Sequence, residues 1–203
     1  RCLSDWSSDV CSSDLVNIKI ENQLAVIGSF SYTQSKNDVF FYNYEATQFA
    51  EDGTSLGNIT QYDLFYDETS ELNLHAELVY DQTEKASIGL SADYYSYQTD
   101  SLEKAIYRPG FVIRAKGHYN IADKIYAKAS VSYFDQRYYF DPTDAAYKSL
   151  GGYLDLNLGI DYRATKLLSV FVDINNATAS KYERWYHYRS YGLGALAGFS
   201  YSF

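Results

Sequence analysis

Apolar and polar positions alternate along most of this chain with a period of two, the period of a strand with two different faces. Residues 192–203 set Leu193, Ala195, Ala197, Phe199, Tyr201 and Phe203 against Gly192, Gly194, Leu196, Gly198, Ser200 and Ser202. Residues 168–175 set Leu168, Val170, Val172 and Ile174 against Ser169, Phe171, Asp173 and Asn175. In residues 154–163 the apolar set is Leu154, Leu156, Leu158, Ile160 and Tyr162. The same alternation marks residues 125–134, 111–120, 88–95, 72–80 and 26–33. Residues 16–20 read as the end of one more strand.

The connections alternate too. Residues 81–85, 122–124 and 164–166 are short; 99–108, 135–151 and 176–191 are long. The stretch 35–70 is longer still, with strand extensions expected at 39–44 and 59–66. Short turns at one end and long loops at the other are the layout of an outer-membrane barrel, whose turns are periplasmic and whose loops are extracellular.

Alternation alone also fits a soluble sandwich. Three features favour a membrane barrel. The strands run to about 9–12 residues, the length needed to cross a tilted bilayer. The polar faces carry Glu77, Arg114, Lys116, Asp155, Asp161 and Arg163, as a wet lumen would. Tyr32, Tyr80, Tyr94, Tyr119, Tyr133 and Tyr162 end the apolar faces, as an interfacial girdle requires. In hydrocarbon every backbone N–H and C=O must pair, and only a closed sheet leaves no edge. The expected fold is therefore all-β: an antiparallel transmembrane β-barrel fragment of about eight to nine up-and-down strands.

Composition sharpens this picture. The 203 residues include 23 Tyr and 11 Phe but 2 Pro and no Met. The formal net charge of -9 argues against nucleic acid as a partner, because its binders carry a basic footprint. There is no stretch of 18 apolar residues, hence no transmembrane helix. No signal peptide precedes the strands, so the true N-terminus is expected to be missing.

Residues 1–15, RCLSDWSSDVCSSDL, differ in texture from everything after them. They repeat Ser-Asp and resemble a translated sequencing adapter; the other reading is a disordered Ser/Asp leader. The chain thus divides into a non-native leader, 1–15, and a C-terminal barrel part, 16–203. Cys2 and Cys11 fall in the leader, so the remaining 188 residues contain no cysteine, and thiolate and disulfide chemistry lapse. Without the leader there are 16 basic and 23 acidic residues, still a net acid excess.

The candidate chemistry is sparse. His75, His118 and His187 are the only histidines; the first two fall on non-neighbouring strands and the third on a loop, which disfavours a metal site. There is no nucleophile with a partnered His. No cofactor, no metal and no catalytic residue is expected. Gly192, Gly194 and Gly198 read as small lumen-facing residues, because no helix follows them as a dinucleotide loop requires. Trp185, Tyr186, Tyr188 and Tyr191 sit in the last long loop, either as an outer girdle or as a contact platform for an aromatic or sugar-like nutrient. Arg114, Lys116, Asp155, Asp161 and Arg163 are either a structural charge ladder or contacts to a plug or substrate path.

The segments LDLNLGIDYR, SVFVDINNATASKYERWYHYRSYG and AGFSYSF resemble the C-terminal strands of TonB-dependent outer-membrane receptors. The resemblance rests on Asn175, Asn176, Tyr182, Trp185, Tyr186, Gly192, Gly198, Tyr201 and Phe203, and extends over residues 70–203. Gly198, Tyr201 and Phe203 also resemble the terminal signal read by the barrel-assembly machinery, which is shared by many outer-membrane barrels. The resemblance implies a Gram-negative outer-membrane location and a barrel of about 22 strands, of which these are the last nine. It implies a plug domain through which the TonB complex acts, outer-membrane lipid around the barrel, and no covalent chemistry. The function implied is uptake of a small scarce nutrient: siderophore, cobalamin, sugar or peptide. Two other readings stay open on the residues alone: a small eight-stranded structural or adhesive barrel, and an outer-membrane enzyme barrel.

Overall fold

A computed structural model of the chain describes residues 8–20, 23–82 and 85–202. Nine strands form one antiparallel sheet: β1 (Ser8–Ile20), β2 (Leu24–Phe49), β3 (Ser55–Gln82), β4 (Ala86–Thr99), β5 (Phe111–Ile121), β6 (Ile125–Phe134), β9 (Tyr153–Arg163), β10 (Leu168–Asn175) and β13 (Gly194–Tyr201). Two small ribbons stand apart from it. One joins β7 (Tyr138–Asp141) to β8 (Ala146–Ser149); the other joins β11 (Glu183–Trp185) to β12 (Tyr188–Arg189). Each strand of the sheet pairs with the next one along the chain, the up-and-down order. No pairing joins β1 to β13 among the described residues, so the sheet is open at both edges.

Register keeps the two faces separate across the sheet. Val26, Leu78, Leu90, Ala115, Val131 and Leu156 form one continuous apolar row through cross-strand pairs. One step along the strands, Glu77, Ser91, Arg114, Ser132 and Asp155 form a polar row on the opposite face. A one-residue slip at any pair would exchange these faces, so the alternation itself fixes the register. The apolar face is not covered by protein: Leu90 in this row is 48% exposed, and Ile88 and Ile160 on the same face 55% and 54%. A single sheet has no second layer to bury that face, which suits lipid and not water.

The turns at one end are tight. Between β5 and β6 the Lys124 N–H donates to the Ile121 carbonyl, with Ala122 and Asp123 at φ 53° and 57°. Those paired positive φ values match the right-handed twist of a hairpin. At the other end the expected strand extensions at 39–44 and 59–66 are present, and the structure adds order to the remaining long connections. Residues 35–70 form the outer part of one hairpin, whose whole strands β2 and β3 are 26 and 28 residues long, rising well beyond the rim and closing at Gly53 with φ 82°. Residues 135–151 and 176–191 are not bare loops; each holds one of the small ribbons. β13 starts at Gly194, so Gly192 and Leu193 precede it.

At the other edge, β1 runs back into the Ser/Asp leader. There the alternation falls out of phase. Asp14 opposite Phe30 and Ser12 opposite Tyr32 lie on the apolar side, and Leu15 opposite Ser29 on the polar side.

The buried apolar cluster lies above the long-loop rim instead of between sheet layers. Phe40, Leu102, Ile106 and Tyr139 form it, with Tyr42, Phe65, Tyr107 and Tyr186 packed around them. The β2–β3 hairpin, the 100–110 connection and the two ribbons therefore share one core.

Candidate functional site

Three long connections meet the β2–β3 hairpin at this rim, and each is tied by side chains aimed at backbone. Asp67, 4% exposed, accepts from the N–H groups of Glu68, Ser101 and Leu102 at 3.0–3.1 Å. That carboxylate pins the start of the 100–110 connection. Tyr107, itself at φ 61°, donates to Asn43 Oδ1 at 2.7 Å. Burial pushes the Tyr107 hydroxyl well above the ordinary tyrosine range, so it stays a donor. Arg108 reaches Asp38 at 2.6 Å and lies over the Phe40 ring at 4.6 Å.

Arg137 performs the same service for the C-terminal loop. It is 5% exposed, and its guanidinium donates from Nη1 to the Arg184 carbonyl at 2.9 Å and from Nη2 to the Glu183 carbonyl at 2.6 Å. It stacks over Tyr153 at 4.8 Å, and Tyr153 stacks on Tyr182 at 3.8 Å. Burial lowers its pKa from the ordinary arginine value, which leaves it protonated. At the base of the same loop Asn176 takes φ 49°, a conformation Asn tolerates better than most residues. Its side chain donates to the Ser180 and Tyr191 carbonyls at 2.8 and 3.1 Å and accepts from the Ser180 N–H at 3.1 Å.

The four loop aromatics expected to act together separate into two pairs. Trp185 packs against Tyr107 at 4.6 Å and edge-on to Phe41 at 4.8 Å. Tyr186 stacks on Tyr139 at 4.1 Å, and its carbonyl accepts from the Tyr62 hydroxyl. Tyr188 and Tyr191 remain open, 63% and 98% exposed. Below them a cleft of about 630 Å³ is lined by Asn157, Asn175, Arg184, Trp185, Tyr188 and Arg189, among others. Two guanidinium groups, three amides and aromatic faces, beside the Asp155 carboxylate, give it donors and stacking surface together, which suits a ligand offering acceptor oxygens on a planar or apolar body.

The charges of the polar face are not one ladder. Arg114 bonds Asp93 at 2.7 Å, and Asp93 also meets His75 Nδ1 at 2.7 Å, a group spanning β3, β4 and β5. Lys128 bridges Asp173 at 2.9 Å and Asp161 at 3.5 Å across β6, β9 and β10. Lys116 lies along Gly89, Asp155 receives the Tyr182 hydroxyl at 3.4 Å, and Arg163 sits opposite Ser169. Asp93 and Lys128, the hubs of both groups, fall on the polar faces that the alternation defines at 88–95 and 125–134, but are not among the charges singled out from the sequence. His118 stacks on Tyr126 at 4.9 Å, away from His75.

Of the three residues resembling an assembly signal, Gly198 lies under the Phe171 ring and Tyr201 sits on the apolar face opposite Leu168. Phe203 lies outside the described residues.

No family model and no curated protein sequence matches this chain. Solved structures do. The pyoverdine receptor FpvA of Pseudomonas aeruginosa, bound to a ferric pyoverdine, matches with a TM-score of 0.68 at 12% identity, over 94% of this chain and 27% of that one. The siderophore receptor PirA of Acinetobacter baumannii matches with a TM-score of 0.66 at 11% identity, over 95% and 32%. The ferric-catecholate import receptor Fiu of Escherichia coli K12 matches with a TM-score of 0.62 at 14% identity, over 95% and 27%. The chain spans less than a third of the length of these receptors. It has the fold of their outer-membrane barrel: antiparallel strands crossing in sequence order, apolar on one face and polar on the other.

Proposed function

We propose that this chain is the barrel part of a TonB-dependent receptor in the outer membrane of a Gram-negative bacterium. In that protein it captures a scarce nutrient from outside the cell. The observation that carries the reading is an open sheet of nine strands that nonetheless matches siderophore receptors over nearly its whole length. In a closed eight-stranded barrel β2 would pair with β13; here β2 pairs with β1 instead. The edges therefore call for further strands, as a large barrel provides. A ferric siderophore is the ligand favoured by the named neighbours; cobalamin, sugar and peptide are the other candidates. The cleft beneath Tyr188 and Tyr191 is the proposed extracellular contact, with Trp185 in its wall, while Tyr186, stacked on Tyr139, does not line it. The TonB complex would act through a plug domain, lipid would cover the apolar face, and the barrel-assembly machinery would read Gly198, Tyr201 and Phe203. Residues 1–15 are proposed to be foreign to that protein, a reading supported by the out-of-phase Asp14 and Leu15.

The test is uptake. A strain relying on this receptor should accumulate radiolabelled iron from a ferric siderophore panel, and deleting TonB should abolish it. Uptake that persists without TonB would exclude the proposal.

A further inference from the structure

Among the described residues Arg137 is the one buried guanidinium, and its hydrogen bonds go to main-chain carbonyls, not to a carboxylate. A buried cation held this way is expensive, because carbonyl dipoles and a ring face compensate a full charge only in part. Its Nε has no partner among the described residues. What the arrangement secures is geometry. The planar fork spans two successive carbonyls, those of Glu183 and Arg184, which open the small ribbon that pairs Trp185 with Tyr188 and turns at Tyr186 and His187. The residue comes from the neighbouring connection, between β6 and β7, so it ties one long loop to another. Other hydrogen bonds on the ribbon are the Tyr62 hydroxyl on the Tyr186 carbonyl, the Ser190 N–H on the Tyr182 carbonyl, and the Glu183 side chain, which accepts from Arg189 and from the His187 N–H within the ribbon itself. The rings of Phe41, Tyr62, Tyr107 and Tyr139 pack against Trp185, Tyr186 and Tyr188, but ring contacts do not fix the main chain at residues 183–184 as the fork does.

We propose that Arg137 is the positioning residue of the C-terminal loop: its guanidinium fixes the backbone at residues 183–184 and thereby sets where Trp185 and Tyr188 stand over the cleft. This rests on the receptor reading for the use of the cleft, but the geometric part stands without it. Lysine does not replace it, since a single ammonium on a flexible stem does not hold two successive carbonyls in a fixed plane. The neighbouring-loop cation Lys104 lies over the Tyr138 ring at 4.2 Å and carries no such tie to the C-terminal loop.

The experiment places a spin label at Tyr188 (Y188C) in the membrane-embedded receptor that carries this segment, with a second label at Glu103 (E103C) in a separate sample. Heat-modifiable gel migration confirms a closed barrel in each variant. R137A and R137K are both expected to turn the label at position 188 from a restricted to a mobile line shape while leaving the label at position 103 unchanged; K104A is expected to change neither. A restricted label at 188 in R137K, or equal loosening at both positions, would overturn the proposal. If R137A does not assemble, R137K decides alone. Because the label reports without ligand, failure of uptake by the unmutated receptor alongside a mobile R137K label would count against the receptor reading and not against the role of Arg137.

Discussion

Leu158 offers the sharpest energetic test of which face meets lipid. It sits midway along the apolar set of β9, four residues from Leu154 and four from Tyr162, flanked by Ala129 on β6 and Ile174 on β10. Four residues are roughly 13 Å of strand at 3.3 Å each. At a tilt of about 40° that is about 10 Å of depth on either side, against an apolar band about 25 Å tall. Position 158 is therefore close to the midplane, and an arginine there reaches neither interface. L158R should destabilise the folded barrel by about 2–4 kcal/mol. On a water-exposed sheet the same change at a 42% exposed residue would stay within about 0.5 kcal/mol. The control is S132R on the polar face, where Arg114 and Asp155 are the cross-strand neighbours and their charges cancel. The assay is reversible urea unfolding of the receptor from phospholipid vesicles. If L158R and S132R agree to within about 0.5 kcal/mol, the assignment of faces is wrong.

Two glycines on the polar face should respond differently to alanine. At Gly198 an added Cβ would come within 2.7 Å of the Phe171 ring, so G198A should cost about 1–3 kcal/mol in the same unfolding assay. At Gly159 the obstacles are the Lys128 side chain, at its Cε and Cγ, and the Asp173 carboxylate, both partly exposed and free to swing away, so G159A should cost less than about 1 kcal/mol and open their ion pair. The β7–β8 ribbon should loosen in acid. Asp141 is held below the usual carboxylate range by the Lys148 ammonium at 2.5 Å and by the Thr143 N–H. Its folded-state pKa is depressed, so its contribution is present above the ordinary aspartate range, near about 3.9, and is lost as pH falls through the lower folded value. Hydrogen exchange across residues 138–149 should rise in that window, and D141N should show fast exchange already at neutral pH.

The strands of the main sheet were legible because one face of a single sheet is apolar throughout, and that requirement writes a period of two. It fails where the chain rises beyond the neighbouring strands. In the β2–β3 hairpin Val39, Phe40, Phe41 and Tyr42 run together, since Phe40 is buried in the rim core, Phe41 meets Trp185 and Tyr42 stacks on Phe140. Side chains on both faces there find protein, and alternation disappears. The ribbons of 4 residues or fewer per strand are too short to show a period at all. The site was legible only in part. Tyr188 and Tyr191 were marked by composition, but the ties of Arg137 and Asp67 go to backbone groups, which carry no residue identity. Tyr107 and Asn43 meet across 64 residues of sequence with nothing local to announce it.

Paired accessibility measurements reach the central claim most directly. Spin labels at Leu156 and Val170 in the embedded receptor should collide with oxygen dissolved in the acyl chains and be shielded from a water-soluble nickel complex, while labels at Asp155 and Ser169, one residue before each, should show the reverse. Nickel contact at Leu156 and Val170 equal to that at their neighbours would contradict a sheet with lipid on one face and water on the other.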